Sequence, residues 1–254
     1  MRAADTGRLA LVRESFPDRP AFGAAVSRAI LLRVAAGELP STMRLHRTGR
    51  VLAFGRRDAA ADGFGAAVRA AREVGFQPIV RLAGGQAALY HEGTIALSAA
   101  IPDPRPAART HARFERLAGT CAAALRSLGV DARVGEVPGE YCPGAWSVNA
   151  AGRSKLVGIG QRIISGGAHL GVVIVVRDSA LVREALVPVY EALGLAWDPA
   201  TAGSVEDELG RIDLDSVEEA ILAELERDAP APVEARLDPD TLELAAGLEA
   251  EHLP

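Results

Sequence analysis

Lysine is almost absent from this chain. Of the 28 basic residues only Lys155 is a lysine, and the rest are arginine. Arginine serves wherever a solvated cation suffices. It cannot replace a compact ammonium that must fit a tight pocket, contact several oxygens or change its protonation state. Lys155 is therefore either a chance survivor at the surface or a residue that chemistry holds in place. Cysteine is scarce too. Cys121 and Cys142 provide neither a disulfide framework nor a zinc-ligand spacing, so no metal site is expected. There is no surplus of positive charge: the net charge is −5 and the pI about 5.6, which argues against a basic nucleic-acid surface. Long apolar runs are missing. The longest, such as Leu170–Val176, are far shorter than a bilayer requires, and Asp5, Glu14 and Asp18 near the N-terminus do not fit a secretory signal. The expectation is a cytoplasmic protein with no membrane segment and no nucleic-acid partner.

What is present is core-forming. Hydrophobic residues make up 49% and charged residues 24% of the 254, enough for one large domain with a sizeable core. Periodicity predicts a helix over 22–37 and strands at 44–46 and 50–54, read as a hairpin around Thr48-Gly49. A helix capped by Asp62 and stopped by Gly75 follows, then strands at 79–82, 87–90 and 94–100. The clearest helix covers 109–128. Phe114, Leu117, Ala118, Cys121, Ala124, Leu125 and Leu128 share one stripe there, which places Cys121 in the core. Residues 146–149 and 155–162 read as hairpin arms, 169–176 as a buried central strand, and 179–193 and 216–227 as helices. Strands in the middle and helices at both ends predict an α+β fold, a mixed and largely antiparallel central sheet flanked by helices. A catalytic domain is expected over 1–228, with a proline-containing linker and C-terminal helix over 229–254.

Two blocks carry candidate chemistry. The first is Arg81-Leu-Ala-Gly-Gly-Gln-Ala-Ala-Leu-Tyr-His91. Gly84 and Gly85 would let a backbone approach a ligand closely, with Arg81 and His91 at the edges of the turn. A plain hairpin would look the same. The second runs from Pro138 through Glu140-Tyr141-Cys142-Pro143-Gly144 to Asn149, then Lys155-Leu-Val-Gly158-Ile-Gly160-Gln161-Arg162. Cys142 sits in a proline-glycine loop, open to solvent, and is either an inert turn residue or a thiol activated by a nearby cation. Gly158 and Gly160, two apart on a strand, would leave one face bare.

Taken together, the blocks resemble the lipoate–protein ligase and octanoyltransferase family of the biotin/lipoate ligase superfamily. That family has a glycine-rich turn, R-R-x-S-G-G-G-A-V-Y-H, and a later lysine in K-I/L-A/V-G. The likeness runs over roughly residues 25–225, with Leu82 in place of the second arginine. It implies a class II synthetase-like catalytic domain. Lys155 would contact the acyl carbonyl. Arg81, Gly84, Gly85, Gln86, Tyr90, His91, Gly158, Gln161 and His169 would bind substrate. Within the family, the ligases use ATP and magnesium to make lipoyl-adenylate, whereas the cysteine octanoyltransferases hold octanoate as a thioester and need no cofactor. The position of Cys142, 13 residues before Lys155, and Trp146-Ser147 where ligases carry Asn-Asp, favour the second. The final residues, about 50, are too few for the accessory domain of many bacterial ligases. The implied acceptor is a lipoyl carrier domain, and the candidate donor is an acyl carrier protein, with octanoate or lipoate as the acyl group. An ATP-dependent ligase and a non-catalytic acyl- or carrier-binding relative are the alternatives.

Overall fold

The computed structural model describes residues 9–227 and 229–254. Asp5, weighed above against a signal segment, and Asp228, the expected domain limit, lie outside them. In chain order the first half holds β1 (Ala10–Val12), α1 (Pro20–Ala35), β2 (Thr42–His46), β3 (Val51–Phe54), α2 (Arg56–Ala59), α3 (Phe64–Glu73), β4 (Gln77–Val80), β5 (Ala88–Tyr90) and β6 (Thr94–Pro102). The second half holds α4 (Thr110–Ser127), β7 (Ala132–Val134), β8 (Val148–Ala150), β9 (Ser154–Ile164), β10 (Gly167–Val175), α5 (Ser179–Leu193), α6 (Val205–Leu209), α7 (Leu214–Glu226), β11 (Val233–Ala235) and α8 (Pro239–Leu248).

Eight strands form the main sheet in the order β11-β1-β2-β6-β10-β9-β8-β7, parallel only at β11/β1 and β1/β2. This is the mixed, largely antiparallel sheet that the sequence predicts. The two-residue side-chain period sorts its faces. Met43, Leu45, Ile95, Leu97, Val172 and Ile174 point one way and pack with Cys121 and Leu125 of α4 and with Val217 and Ile221 of α7. Each fully buried leucine or isoleucine of this layer is worth about 1.5–3 kcal/mol relative to an exposed one. The opposite face is covered by α1 and by a second, three-stranded sheet, β4-β3-β5, with α3 and α5 packed behind it.

The structure corrects three local expectations. Strands β2 and β3 are not a hairpin: β2 pairs with β1 and β6, and β3 with β4 and β5, in separate sheets. Gly49 lacks the positive φ of a tight hairpin turn and instead admits the Pro17 carbonyl, 3.1 Å from where its Cβ would stand. Helix α3 is preceded by Gly63, with no side-chain cap from Asp62. A Cβ at Gly63 would lie 1.9 Å from the Ala192 carbonyl, so contact with α5 sets that position. In the tail, the stretch read as linker contains β11, which pairs with β1, and α8 packs on α1 through Ala245 and Leu242. No helix among the described residues is long and apolar enough to cross a membrane.

Candidate active site

Glycines prepare the floor. Across the main sheet Ser98, Gly171 and Gly160 stand in register on the face toward the small sheet. A Cβ on Gly160 would lie 3.0 Å from the Gly84 carbonyl and 3.1 Å from Ala83 Cβ. The turn at 83–85 rests on this bare strip, and the Gly84 amide donates to the Gln161 carbonyl at 3.3 Å. Gly85 has φ +102, and a Cβ there would meet Arg81 Nη2 at 2.5 Å and Cys142 Sγ at 2.8 Å. The glycines thus bring the first block against the cysteine of the second.

Cys142 is half-buried, with φ +44. Holding a non-glycine residue there costs of order 1–3 kcal/mol, so its surroundings must fix it. Its amide donates to the Tyr190 hydroxyl at 2.8 Å, and that hydroxyl donates to the Ala87 carbonyl at 2.8 Å, tying the loop to the far side of the glycine turn. Lys155 is 1% exposed and spends its ammonium on the same loop, donating to the Tyr141 carbonyl at 3.0 Å, the Cys142 carbonyl at 2.7 Å and Glu140 Oε1 at 2.9 Å. Glu140 also accepts from Ser147 Oγ, the Gly144 amide and, on Oε2, the Val137 amide. Removing one partner of such a buried pair is worth about 3–5 kcal/mol.

The thiol accepts from the Gln86 amide at 3.2 Å and from Arg81 Nη2 at 3.4 Å. Burial opposes its ionisation. The charges of Arg81 and Lys155 and the two hydrogen bonds outweigh that, and the Cys142 pKa falls below the ordinary thiol value. Cys121 behaves oppositely: full burial pushes its thiol up to about 12.

Two cavities meet at this point. One, about 260 Å³, is lined by Cys142, Lys155, Gly84, Gly85, Gly158 and Gln161, among others. The rings of Phe114 and Trp146, stacked with centroids 6.4 Å apart, are also in its wall. No carboxylate lines it among the described residues. The other, about 110 Å³, runs between α1, the small sheet and the main sheet, past Pro20, Ala24, Val51, Ala53, Ile79 and Ala96. Arg81, Tyr90 and Gly171 belong to both walls.

The structure therefore gathers Cys142, Lys155, Arg81, Gly84, Gly85, Tyr90, Gly158 and Gln161 around one cavity, and Gln86 joins through its amide. Two residues stand apart. His169 lines only the second cavity. His91 lines neither, because side chains alternate along the extended chain and Tyr90 takes the inward direction. The His91 ring instead accepts the Gly93 amide at 3.0 Å. Glu140 and Tyr190 were not foreseen. Glu140 had a readable signal: a lysine destined for burial needs a counter-charge, and an acid stands two residues before the cysteine.

Comparison with known proteins places the chain by family and fold. The chain is 27% identical over 170 residues to the octanoyl-GcvH:protein N-octanoyltransferase of Geobacillus kaustophilus, covering 67% of this chain and 60% of that relative's length. A protein of the same name from Oceanobacillus iheyensis is 23% identical over 225 residues, covering 84% and 80%. The lipoyl-GcvH:protein N-lipoyltransferase of Listeria monocytogenes is 26% identical over 176 residues, covering 66% and 62%. Among solved structures, lipoate-protein ligase A bound with ATP superposes with a TM-score of 0.76 at 18% identity, covering 96% of this chain and 95% of that one. The bi-partite lipoate protein ligase of Thermoplasma acidophilum gives 0.73 at 17% identity, covering 96% and 92%. Those two likenesses show a shared fold. Residues 19–226 match the lipoyl protein ligase A/B catalytic domain, and the chain belongs to that family.

Proposed function

We propose that the protein is a cysteine-dependent acyltransferase that moves an octanoyl or lipoyl group onto a lysine of a lipoyl carrier domain. The observation that carries this reading is the seat of Cys142: a thiol in the wall of the larger cavity that accepts two hydrogen bonds, one of them from Arg81, whose guanidinium-bearing side chain also lines the second cavity. The names of the relatives, an octanoyltransferase and a lipoyltransferase acting with GcvH, support the same chemistry.

In the first half-reaction the Cys142 thiolate attacks the carbonyl of an acyl thioester. The Gln86 amide and Arg81, which hold the thiolate at rest, donate to the oxyanion as charge moves onto it. The oxyanion collapses, the carrier thiolate leaves and takes up a proton, and the acyl group remains on Cys142. A neutral carrier lysine then attacks this thioester, Cys142 departs as thiolate, and the new amide loses the amine proton. The acyl chain lies in the mostly apolar second cavity, past Tyr90 and Arg81. Lys155, whose three hydrogen bonds are spent on Glu140 and the loop, supplies charge and holds the nucleophile in place. The reaction belongs in a reducing compartment such as the cytoplasm, where a free thiol persists.

The donor is an acyl carrier protein thioester in one version of this proposal. In the other it is octanoyl-GcvH, whose acyl group is held as a lysine amide, so the C–N bond breaks in place of the C–S bond and the carrier lysine leaves as a neutral amine after its nitrogen takes up a proton. An ATP-dependent ligase is a weaker reading. Its magnesium would want a free carboxylate, and Glu140 is already saturated by Lys155 and its loop. The test is intact mass after mixing the enzyme with each octanoyl-loaded donor, without ATP. One octanoyl adduct, released by hydroxylamine and absent in Cys142→Ser, is the expected result. No adduct from either donor, with lipoate-dependent exchange of pyrophosphate into ATP, would overturn the proposal in favour of the ligase. Binding of acyl group or carrier without any turnover would point to a non-catalytic relative.

A further inference from the structure

Glu140, the acid beside the lone lysine, neutralises it at 2.9 Å. Its connections go further. The Glu140 side chain is fully buried, and its two oxygens receive four donors. Three come from the loop that carries Cys142: the Val137 amide at 3.0 Å before the cysteine, then the Gly144 amide at 3.2 Å and Ser147 Oγ at 2.5 Å after it. The fourth is Lys155 Nζ, which passes the connection on to the Tyr141 and Cys142 carbonyls. A loop spanning 137–147 is thus folded around one carboxylate, and Cys142, its one non-glycine residue at positive φ, sits between the anchored ends. Gly139 supplies another turn at φ +84.

We propose that Glu140 is the positioning residue of the transfer reaction: its carboxylate, by gathering Lys155 and three loop donors, sets the place of Cys142 in the wall of the larger cavity, against Arg81 and the Gln86 amide. The proposal rests on the cysteine reading above and assigns the residue that makes it work. Glu140 does not touch the acyl group. It acts through geometry, because a nucleophile displaced by about 1 Å loses on the order of 100-fold in rate. Its own negative charge does not raise thiolate content, since a carboxylate near a thiol disfavours the anion.

That difference in sign supplies the test. Glu140→Gln keeps the size and one carbonyl oxygen, but its amide nitrogen cannot accept the Val137 amide. Glu140→Asp keeps the charge and shortens the reach. Both variants are compared with wild type in octanoyl transfer, in the pH dependence of Cys142 alkylation by iodoacetamide, and in melting temperature. The expected result is a fall in kcat of roughly 30-fold or more in both variants, with donor KM within about threefold. The alkylation midpoint of Glu140→Gln should be no higher than that of wild type. Wild-type kcat in folded Glu140→Gln would overturn the proposal. So would wild-type kcat in Glu140→Asp, which would make charge alone the requirement, or a raised alkylation midpoint in Glu140→Gln. If neither variant folds, Ser147→Ala removes one donor from outside the ion pair. It should lower kcat by about 3- to 10-fold with the alkylation midpoint unmoved, and an unchanged kcat overturns the proposal. The underlying cysteine reading is judged separately, on wild type alone: no hydroxylamine-sensitive adduct and full turnover by Cys142→Ser would sink it whatever Glu140 does.

Discussion

Arg81→Met should separate thiolate content from thiolate reactivity at Cys142. The guanidinium donates to Sγ at 3.4 Å, and a hydrogen bond to an ionised group is worth about 1.5–3 kcal/mol. At 1.36 kcal/mol per pKa unit, its removal should raise the Cys142 pKa by about 1 to 2 units. Water admitted beside the smaller side chain would offset part of this and favour the lower figure. A more basic thiolate is also a better nucleophile, with a Brønsted slope near 0.4–0.5. Well below both pKa values the alkylation rate should therefore drop about 3- to 15-fold, and well above both it should rise about 3- to 10-fold. The two pH–rate curves must cross. Iodoacetamide labelling followed by intact mass reads this cleanly, because buried Cys121, its thiol pushed up to about 12, does not compete. Curves that coincide, or that differ by one factor at every pH, would refute the claim that Arg81 sets the ionisation of Cys142. Octanoyl transfer by the variant should fall further than alkylation does, since the proposed mechanism also loses a donor to the oxyanion.

Three further outcomes follow from named contacts. In Gly160→Ala the new methyl stands 3.0 Å from the Gly84 carbonyl, so the turn must shift. A loss of about 1–3 kcal/mol in urea unfolding and slower transfer are expected, and wild-type values for both would mean the turn is not seated there. Tyr190→Phe leaves the Cys142 amide without its acceptor, at a cost of about 1–3 kcal/mol, and should slow transfer without moving the alkylation midpoint. His169 is held down to about 4, by burial and then by the charge of Arg44 and by His252, so it stays neutral in the fold and protonates sooner in the unfolded chain. Its stabilising share is complete above the ordinary histidine value and is lost as pH falls through about 4, amounting to about 3 kcal/mol. His46, His91 and His252 are depressed likewise, so urea titrations between pH 7 and 4.5 should show a steep loss that His169→Gln reduces by close to one proton; an unchanged slope would remove His169 from this account.

The sequence made legible those features that leave a periodic or compositional trace. The stripe of α4, with Cys121 in the core, could be read because seven helical positions repeat one choice. Lys155 stood out because the rest of the chain avoids lysine. The glycines at 158 and 160 announced a bare face, but Gly171, which completes the strip on the neighbouring strand, carried no meaning until register aligned it with Gly160. Strand pairing escaped for a related reason. Residues 44–46 and 51–54 are near in sequence and similar in pattern, and only long-range partners assign them to different sheets. His91 shows the opposite limit. A motif position suggested a role, and a two-residue period turned the ring away from the cavity that Tyr90 enters.

The cost of holding Cys142 in place explains why its supports were the hardest part of the site to read. A half-buried thiol at positive φ is not a conformation that local sequence favours, so the restraint has to come from elsewhere. It comes from Tyr190, 48 residues away on α5, from Gln86, 56 residues away, and from Lys155 across the β8–β9 hairpin. Each reaches Cys142 itself through one hydrogen bond that no local periodicity encodes. Glu140 alone is local, yet its meaning depends on Lys155 being buried beside it. If the strain at Cys142 is held by these distributed contacts, then Tyr190→Phe and Ser147→Ala combined should lose more transfer activity than the product of their separate effects, because the remaining anchors must carry the loop alone. Multiplicative losses would mean that the two anchors act independently and that the loop is rigid without their cooperation.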